Sequence, residues 1–351
     1  MRSSSQWSAK RKAVKTLLRP YAVPSYRRAL LLVALDLTLF FMASIMVVAA
    51  PGLAWKLAAS CGLGLVLARM FVLGHDAGHQ SLTPSRALNA WLGRILFLPT
   101  MTCLSLWVAG HNIAHHGFSG LRGRDIPWVP LSPEQYLALS RGKRWLYRVY
   151  RSWWGAGLYY GLDVWWRQQY FPQGKVRRAF ILDSWLVTIF MAAQTAAYGV
   201  AALATGQSVA VVLALGIALP FVLWLYMAAI VFYVHHTDET CRWYDNEREW
   251  RAAQPNLDAT HGTHLPLRLD LLLHHALEHT AHHVNTAIPS YRLTGAQRAL
   301  EKHYPAEVPL RKITLGRYVA ITKQCQLYDA RLHEWLTFDA VEATQFALIT
   351  R

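Results

Sequence analysis

From residue 29 onward the chain alternates long apolar runs with polar, aromatic-rich stretches. Ala29 to Ala50 is apolar over 22 residues, with Asp36 its only charge. Pro51 and Gly52 form a turn, and Gly52 to Gly74 is a second run, carrying Lys56 and Arg69. Two further runs, Ile181 to Ala204 and Val209 to Val234, flank the uncharged linker Thr205-Gly206-Gln207-Ser208. A helix needs roughly 20 residues to cross a hydrocarbon core. The pattern therefore predicts four transmembrane helices, over about 29–50, 52–74, 181–204 and 209–234. Lys56 and Arg69 are expected to snorkel toward the two faces, and Pro220 to be a tolerated kink. Asp36 is either a functional acid or one paired structurally.

A fifth apolar stretch, Ala87 to Gly110, holds Arg94 and has Pro99 at its middle. It is too short to cross twice. A bent, re-entrant or interfacial segment is predicted, starting and ending on one side. A full crossing would instead put His111 opposite His75.

Composition agrees with a membrane protein: 54% of the 351 residues are hydrophobic. The net charge is +16, and its placement carries the information. Met1 to Arg28 holds eight Lys or Arg and no acid, whereas both short outer linkers are uncharged. The first span is too long for the core of a cleaved signal peptide. By the positive-inside rule both termini of this multi-pass protein are expected in the cytoplasm. Between Gly117 and Arg178, Trp145, Trp153, Trp154, Trp165 and Trp166 interleave with Lys143, Arg144, Arg148, Arg151 and Arg167. Such interleaving also occurs in single-stranded nucleic-acid binding. Beside membrane spans it reads as amphipathic helices in the interface, so no nucleic-acid partner is expected. The chain thus reads as an all-α integral membrane protein. It has a basic segment, 1–28, and one membrane domain, 29–351, with a helical cytoplasmic cap over 110–180 and 235–351.

The four cysteines form no CxxC pair, which argues against a zinc ribbon or an iron–sulfur cluster on this chain. The sixteen histidines are the unusual feature. They gather as His75-Asp76-Ala-Gly-His79, His111-Asn-Ile-Ala-His115-His116, His235-His236 and His279-Thr-Ala-His282-His283, with His274, His275 and Glu278 just before the last group. Residues three and four apart are neighbours on a helix, so these spacings gather imidazoles on shared faces. All four groups fall just beyond predicted cytoplasmic helix ends and are able to converge. Together they exceed the four ligands of a structural zinc. Asp76 is placed to accept a ligand's ring proton. A metal transporter would put ligands near the bilayer middle, where only Asp36 and small polar residues are available.

HxxxH, HxxxHH and HxxHH in this order, with two spans between the second and third, resemble the boxes of the membrane fatty acid desaturase superfamily, the histidine-box di-iron enzymes. The resemblance runs from about Ala29 to Leu293. Phe232-Tyr-Val-His-His236 resembles the family's additional histidine after the last span. Arg124-Asp125 followed by Val129-Pro130 resembles the segment after the second box. His282-His-Val-Asn-Thr-Ala-Ile-Pro289 resembles the close of the third.

The resemblance implies that His75, His79, His111, His115, His116, His279, His282 and His283 ligate two irons, with His236 as ninth ligand and His235 its rival. Asp76, Asp125, His275 and Glu278 are expected around the ligands. His274 and His275 are expected to support ligands or line a substrate channel, and His261 and His264 to lie at the surface. The implied activity introduces a carbon–carbon double bond into a fatty acyl chain, free or linked to lipid, coenzyme A or a carrier protein. It consumes dioxygen and electrons from an external carrier. The basic face suits an acidic ferredoxin-like donor, anionic lipid or an acidic acyl carrier protein. On the same scaffold, decarboxylation of a free fatty acid to a terminal alkene, acetylenation and hydroxylation are the alternatives.

Overall fold

Four helices are long and apolar enough to cross a membrane: Tyr26–Ala49, Gly52–Gly78, Arg178–Ala204 and Val209–His236. They belong to a computed structural model that describes residues 4–171, 177–253, 257, 260, 262–263, 266–308 and 311–349. His261 and His264 lie outside the described residues. The second and fourth spans run past their apolar stretches, so that the helix itself delivers His75 and His236. Leu31, Phe41, Ile45, Trp185, Ile189 and Leu203 point outward, as side chains facing lipid do. The second span is the most enclosed, with 61% of its apolar window buried. It packs against the first span, the fourth span and the re-entrant segment, and so stands at the centre of the bundle.

The linkers at 51–52 and 205–208 meet. Lys56 Nζ donates to the carbonyl of Val47 (3.1 Å) and to Gln207 Oε1, and Gln207 Nε2 donates to the carbonyl of Val48 (3.0 Å). Lys56 thereby satisfies carbonyls that end the first span. Arg69 does not snorkel. Its Nε and Nη2 lie 2.8 and 2.7 Å from Asp36 Oδ1. Asp36 is therefore paired, because an isolated charge at that depth would be very costly. Ahead of Pro220 the fourth span widens into a π-helical turn, Ala214–Ala218, beside the proline that lacks an amide hydrogen.

The re-entrant segment descends as Arg86–Phe97, turns through Leu98 to Cys103, and returns as Leu104–Trp107. Arg94 inside it pairs with Asp183 of the third span at 2.8 Å, and Asp183 also accepts from the Ser105 amide at 2.9 Å. The bend packs closely against the second span because Gly74 and Gly78 lack side chains. A Cβ on either would stand 2.4 Å from the Phe97 or Trp107 ring. His75 and His111 end on the same side, with ring centroids 4.9 Å apart.

One part of the expected cap sits elsewhere. Ala156–Tyr159 and the π-helical Tyr160–Tyr170 run down the fourth span instead of lying flat on the interface. Tyr160 stacks on Phe232 at 5.7 Å, and Trp165 meets Phe221 at 4.8 Å. Phe221 lies roughly four helical turns below His236. Leu158, Leu162 and Trp166 remain exposed on the opposite side. One face is thus packed on protein while the other carries these side chains, with Asp163 and Arg167 paired to each other.

The remaining cap is built on His279–Val284 and Ser290–His303. The amino-terminal helix, Ser4–Leu18, lays Val14 and Leu18 against Ile288, Leu293, Ala296 and Leu300. A short antiparallel hairpin, Leu327–Asp329 with Glu334–Leu336, interrupts the otherwise helical architecture.

Candidate metal centre

Three helices and a fourth terminus bring nine histidines together. His75 and His79 occupy the last turn of the second span and its cap, with ring centroids 4.6 Å apart. His111 and His115 lie in a π-helical stretch, Val108–His115, whose hydrogen bonds run five residues back, as from the His116 amide to the His111 carbonyl. The wide turn brings His111 Nε2 and His116 Nε2 to 3.1 Å. His279, His282 and His283 share one short helix, and His236 ends the fourth span.

The imidazoles form two groups, each with its ligand atoms within 4.8 Å of one another: His75, His79, His111 and His282, and then His115, His236, His279 and His283. His116 Nε2 lies 3.0 Å from His282 Nε2, on the side of the first group. In the second, His236 Nε2 and His279 Nε2 are 2.9 Å apart. Nitrogens bound about 2.0–2.1 Å from one shared ion stand about 3 Å apart, so head-to-head contacts of this length fit metal-directed lone pairs. His79 Nε2, His115 Nε2 and His283 Nε2 are buried and have no hydrogen-bond partner among the described residues. A ring nitrogen in that condition is costly unless something binds it. Burial, and after it the neighbouring imidazoles, lower the basicity of His111, His116, His279, His282 and His283 well below the ordinary imidazole range. Those rings are uncharged at neutral pH, the form that ligates metals. The residues present therefore fit two ions held by nitrogen.

Surrounding groups fix the rings. Asp125 Oδ1 is 2.7 Å from His115 Nδ1, and the carboxylate is itself held by the Gly120 and Ile126 amides. His115 consequently presents Nε2 to the second group. Ser119 Oγ lies 3.3 Å from His283 Nδ1. Asp76 Oδ1 is 3.4 Å from His75 Nδ1, while its Oδ2 accepts from the Ser290 amide at 2.6 Å, tying the first box to the chain beyond the third. His235 stands outside both groups, stacked on His279 at 4.2 Å with its Nε2 3.4 Å from Thr263 Oγ1. Glu278 is buried directly before His279. His275 turns away and pairs with Asp270 at 2.6 Å. His274 reaches Asp36. Trp107, which sequence reasoning passed over, stacks on His111 at 4.3 Å. Its position four residues before the histidine was the available signal.

Two apolar cavities approach the centre. One lies between the second and fourth spans, lined by Phe71, Val72, Met227 and Val231, and reaches His75, His279 and His282. Another is lined by Leu106, Tyr160 and Val164 and reaches His111 and His115. Phe232 borders both.

Comparison with known proteins agrees with this geometry. A family model described as fatty acid desaturase matches residues 50–314. An sn-1 oleoyl-lipid 12-desaturase of Picosynechococcus sp. is 29% identical over 277 residues, covering 78% of this chain and 77% of that relative. An sn-1 acyl-lipid omega-3 desaturase (ferredoxin) of Synechocystis sp. is 28% identical over 247 residues, covering 68% of this chain and 65% of the relative. A chloroplastic omega-6 fatty acid desaturase of Spinacia oleracea is 26% identical over 270 residues, covering 76% and 58% respectively.

Proposed function

On the footing that this chain belongs to the fatty acid desaturase family, we propose that its nine clustered histidines hold two irons beside a dry acyl tunnel. The protein is a membrane oxidoreductase that introduces a double bond into a fatty acyl chain. The observation that carries the metal assignment is the pair of four-imidazole groups. His116 completes the first group. His236, and not His235, completes the second. Iron bound there would supply the activation of dioxygen needed to take hydrogen from an unactivated methylene. Per double bond, one dioxygen, two external electrons and two protons yield two waters, the other two electrons coming from the substrate's C–H bonds.

The chain's own residues bind and orient. The cavity between the second and fourth spans admits the acyl chain from the bilayer and excludes water from the reacting carbons. The relatives are named for acyl-lipid substrates, which supports a lipid-linked chain here. Asp125, Asp76 and Ser119 keep ligand rings aimed, the kind of support whose loss typically costs 10–100-fold in metal affinity or activity. The basic segment 1–28 and the uncharged outer linkers support a cytoplasmic placement of both termini and the metal centre. A bacterial inner membrane is the setting that fits. Electrons come from a separate carrier, and a ferredoxin suits the basic face.

The test is expression in a host lacking such an enzyme, with profiling of fatty acids and volatile hydrocarbons beside a His282→Ala/His283→Ala control. A new unsaturated acid that vanishes in the control is expected. A terminal alkene one carbon shorter, or a hydroxylated acid, would replace this reading with decarboxylation or hydroxylation at the same centre.

A further inference from the structure

The amino-terminal helix lies outside the span matched by the family, residues 50–314, yet it borders the metal centre. Its apolar face, Val14 and Leu18, is fixed on the cap. Its other face carries Lys12, Lys15 and Thr16, with Arg19 just beyond the helix end, at helical spacing and all exposed. Together with Val284 to Thr286 they line an open groove of about 1400 Å³, and at its inner end stand His116 and His283. These two rings are half-buried and stack on each other at 4.2 Å. Among the described residues no carboxylate lines the groove. Lys10 pairs with Glu307, whereas Lys12, Lys15 and Arg19 make no ion pair among the described residues.

Among the described residues the groove shares no lining residue with either apolar cavity. It reaches the histidines by a route that does not pass the acyl chain. We infer that this groove is the docking surface for an acidic, protein-borne one-electron carrier, with Lys12, Lys15 and Arg19 engaging its carboxylates and His116 and His283 forming the shortest path inward. The inference rests on the desaturase reading and assigns its partner's place. Each docked carrier is oxidised by one electron, so two dock in turn for every double bond formed, and the two protons come from water at the cytoplasmic side.

The experiment uses the full chain in phosphatidylcholine nanodiscs, with an acidic plant-type [2Fe–2S] ferredoxin as probe. Wild type should bind it with an affinity that falls as salt is raised. Lys12→Glu/Lys15→Glu/Arg19→Glu should weaken binding about tenfold or more, and the triple Gln variant by less. Iron content equal to wild type shows that both variants fold. Turnover driven by ferredoxin should fall in parallel, while the double bond formed in a single turnover, when protein prereduced with dithionite and freed of the excess is mixed with oxygenated buffer, should not change. Undiminished ferredoxin binding in the charge-reversed protein, or no binding by wild type, overturns the inference. So does loss of binding to phosphatidylglycerol vesicles with ferredoxin binding intact, which would make the groove a lipid-headgroup site. If dithionite-reduced wild type forms no double bond while the binding results hold, the desaturase reading fails and the dock stands.

Discussion

His274 Nε2 lies 2.5 Å from Asp36 Oδ2, joining the loop before the third histidine box to the first membrane span. Arg69 holds the other carboxylate oxygen and donates to the Leu272 carbonyl at 3.2 Å. His274 and His275 are both in the left-handed backbone region, at φ 48° and 60°. Such a conformation persists only where surrounding contacts impose it. The Arg69–Asp36–His274 triad supplies them for His274, and Asp270 for His275. Asp36→Ala leaves Arg69 and His274 without their shared partner and should cost about 3–5 kcal/mol. Thermal melting in detergent, read with iron content, checks this; a loss below about 1 kcal/mol would mean that the triad does not anchor the loop.

Adjacent histidines should behave differently. His236→Ala removes a member of the second group and should lower bound iron and abolish turnover. His235→Ala and His275→Ala should retain iron, because His235 stacks behind His279 and His275 pairs with Asp270. Iron per chain in the three purified variants decides it. Equal iron loss in His235→Ala and His236→Ala would contradict the assignment.

Gly78 is needed for its lack of a side chain. A methyl group there meets the Trp107 ring at 2.4 Å, and Trp107 stacks on His111. Gly78→Ala should cost about 1–3 kcal/mol by overpacking and reduce turnover by displacing His111. Gly142→Ala, where nothing lies within 4 Å, is the matched control and should melt like wild type.

Phe232 separates two cavities that both reach the metal centre. Phe232→Ala joins them, and Phe232→Trp narrows the junction further. With a mixture of acyl chain lengths, the Ala variant should accept longer chains or shift the double bond, and the Trp variant should favour shorter ones. Identical products from all three proteins would show that the ring does not set substrate position.

Hydropathy made the four spans legible, and the histidine boxes announced themselves by spacing. Pro99 and the length of the fifth apolar stretch were enough to predict its bend. Other features carry no local signal. Asp36 and His274 are 238 residues apart, so no window of sequence shows that one neutralises the other. Arg69 reads as a snorkelling residue until its partner is known. The descent of Tyr160–Tyr170 along the fourth span was hidden because an interfacial helix and a helix between protein and lipid share one composition. The same holds for the choice between His235 and His236, which share the last turn of one helix and differ in the face they present.

The wide turn at Val108–His115 also explains the spelling of the boxes. In the third box, written HxxHH, His279 and His283 are four apart and point to one group, while His282 points to the other. In the second, written HxxxHH, the paired rings are His111 and His116, five apart, and His115 is the one that crosses over. The longer motif is the shorter one with a residue added to the coil. Removing one residue between His111 and His115 would therefore leave a recognisable histidine box, and one able to aim the same three rings only if the backbone closed up into an ordinary helix.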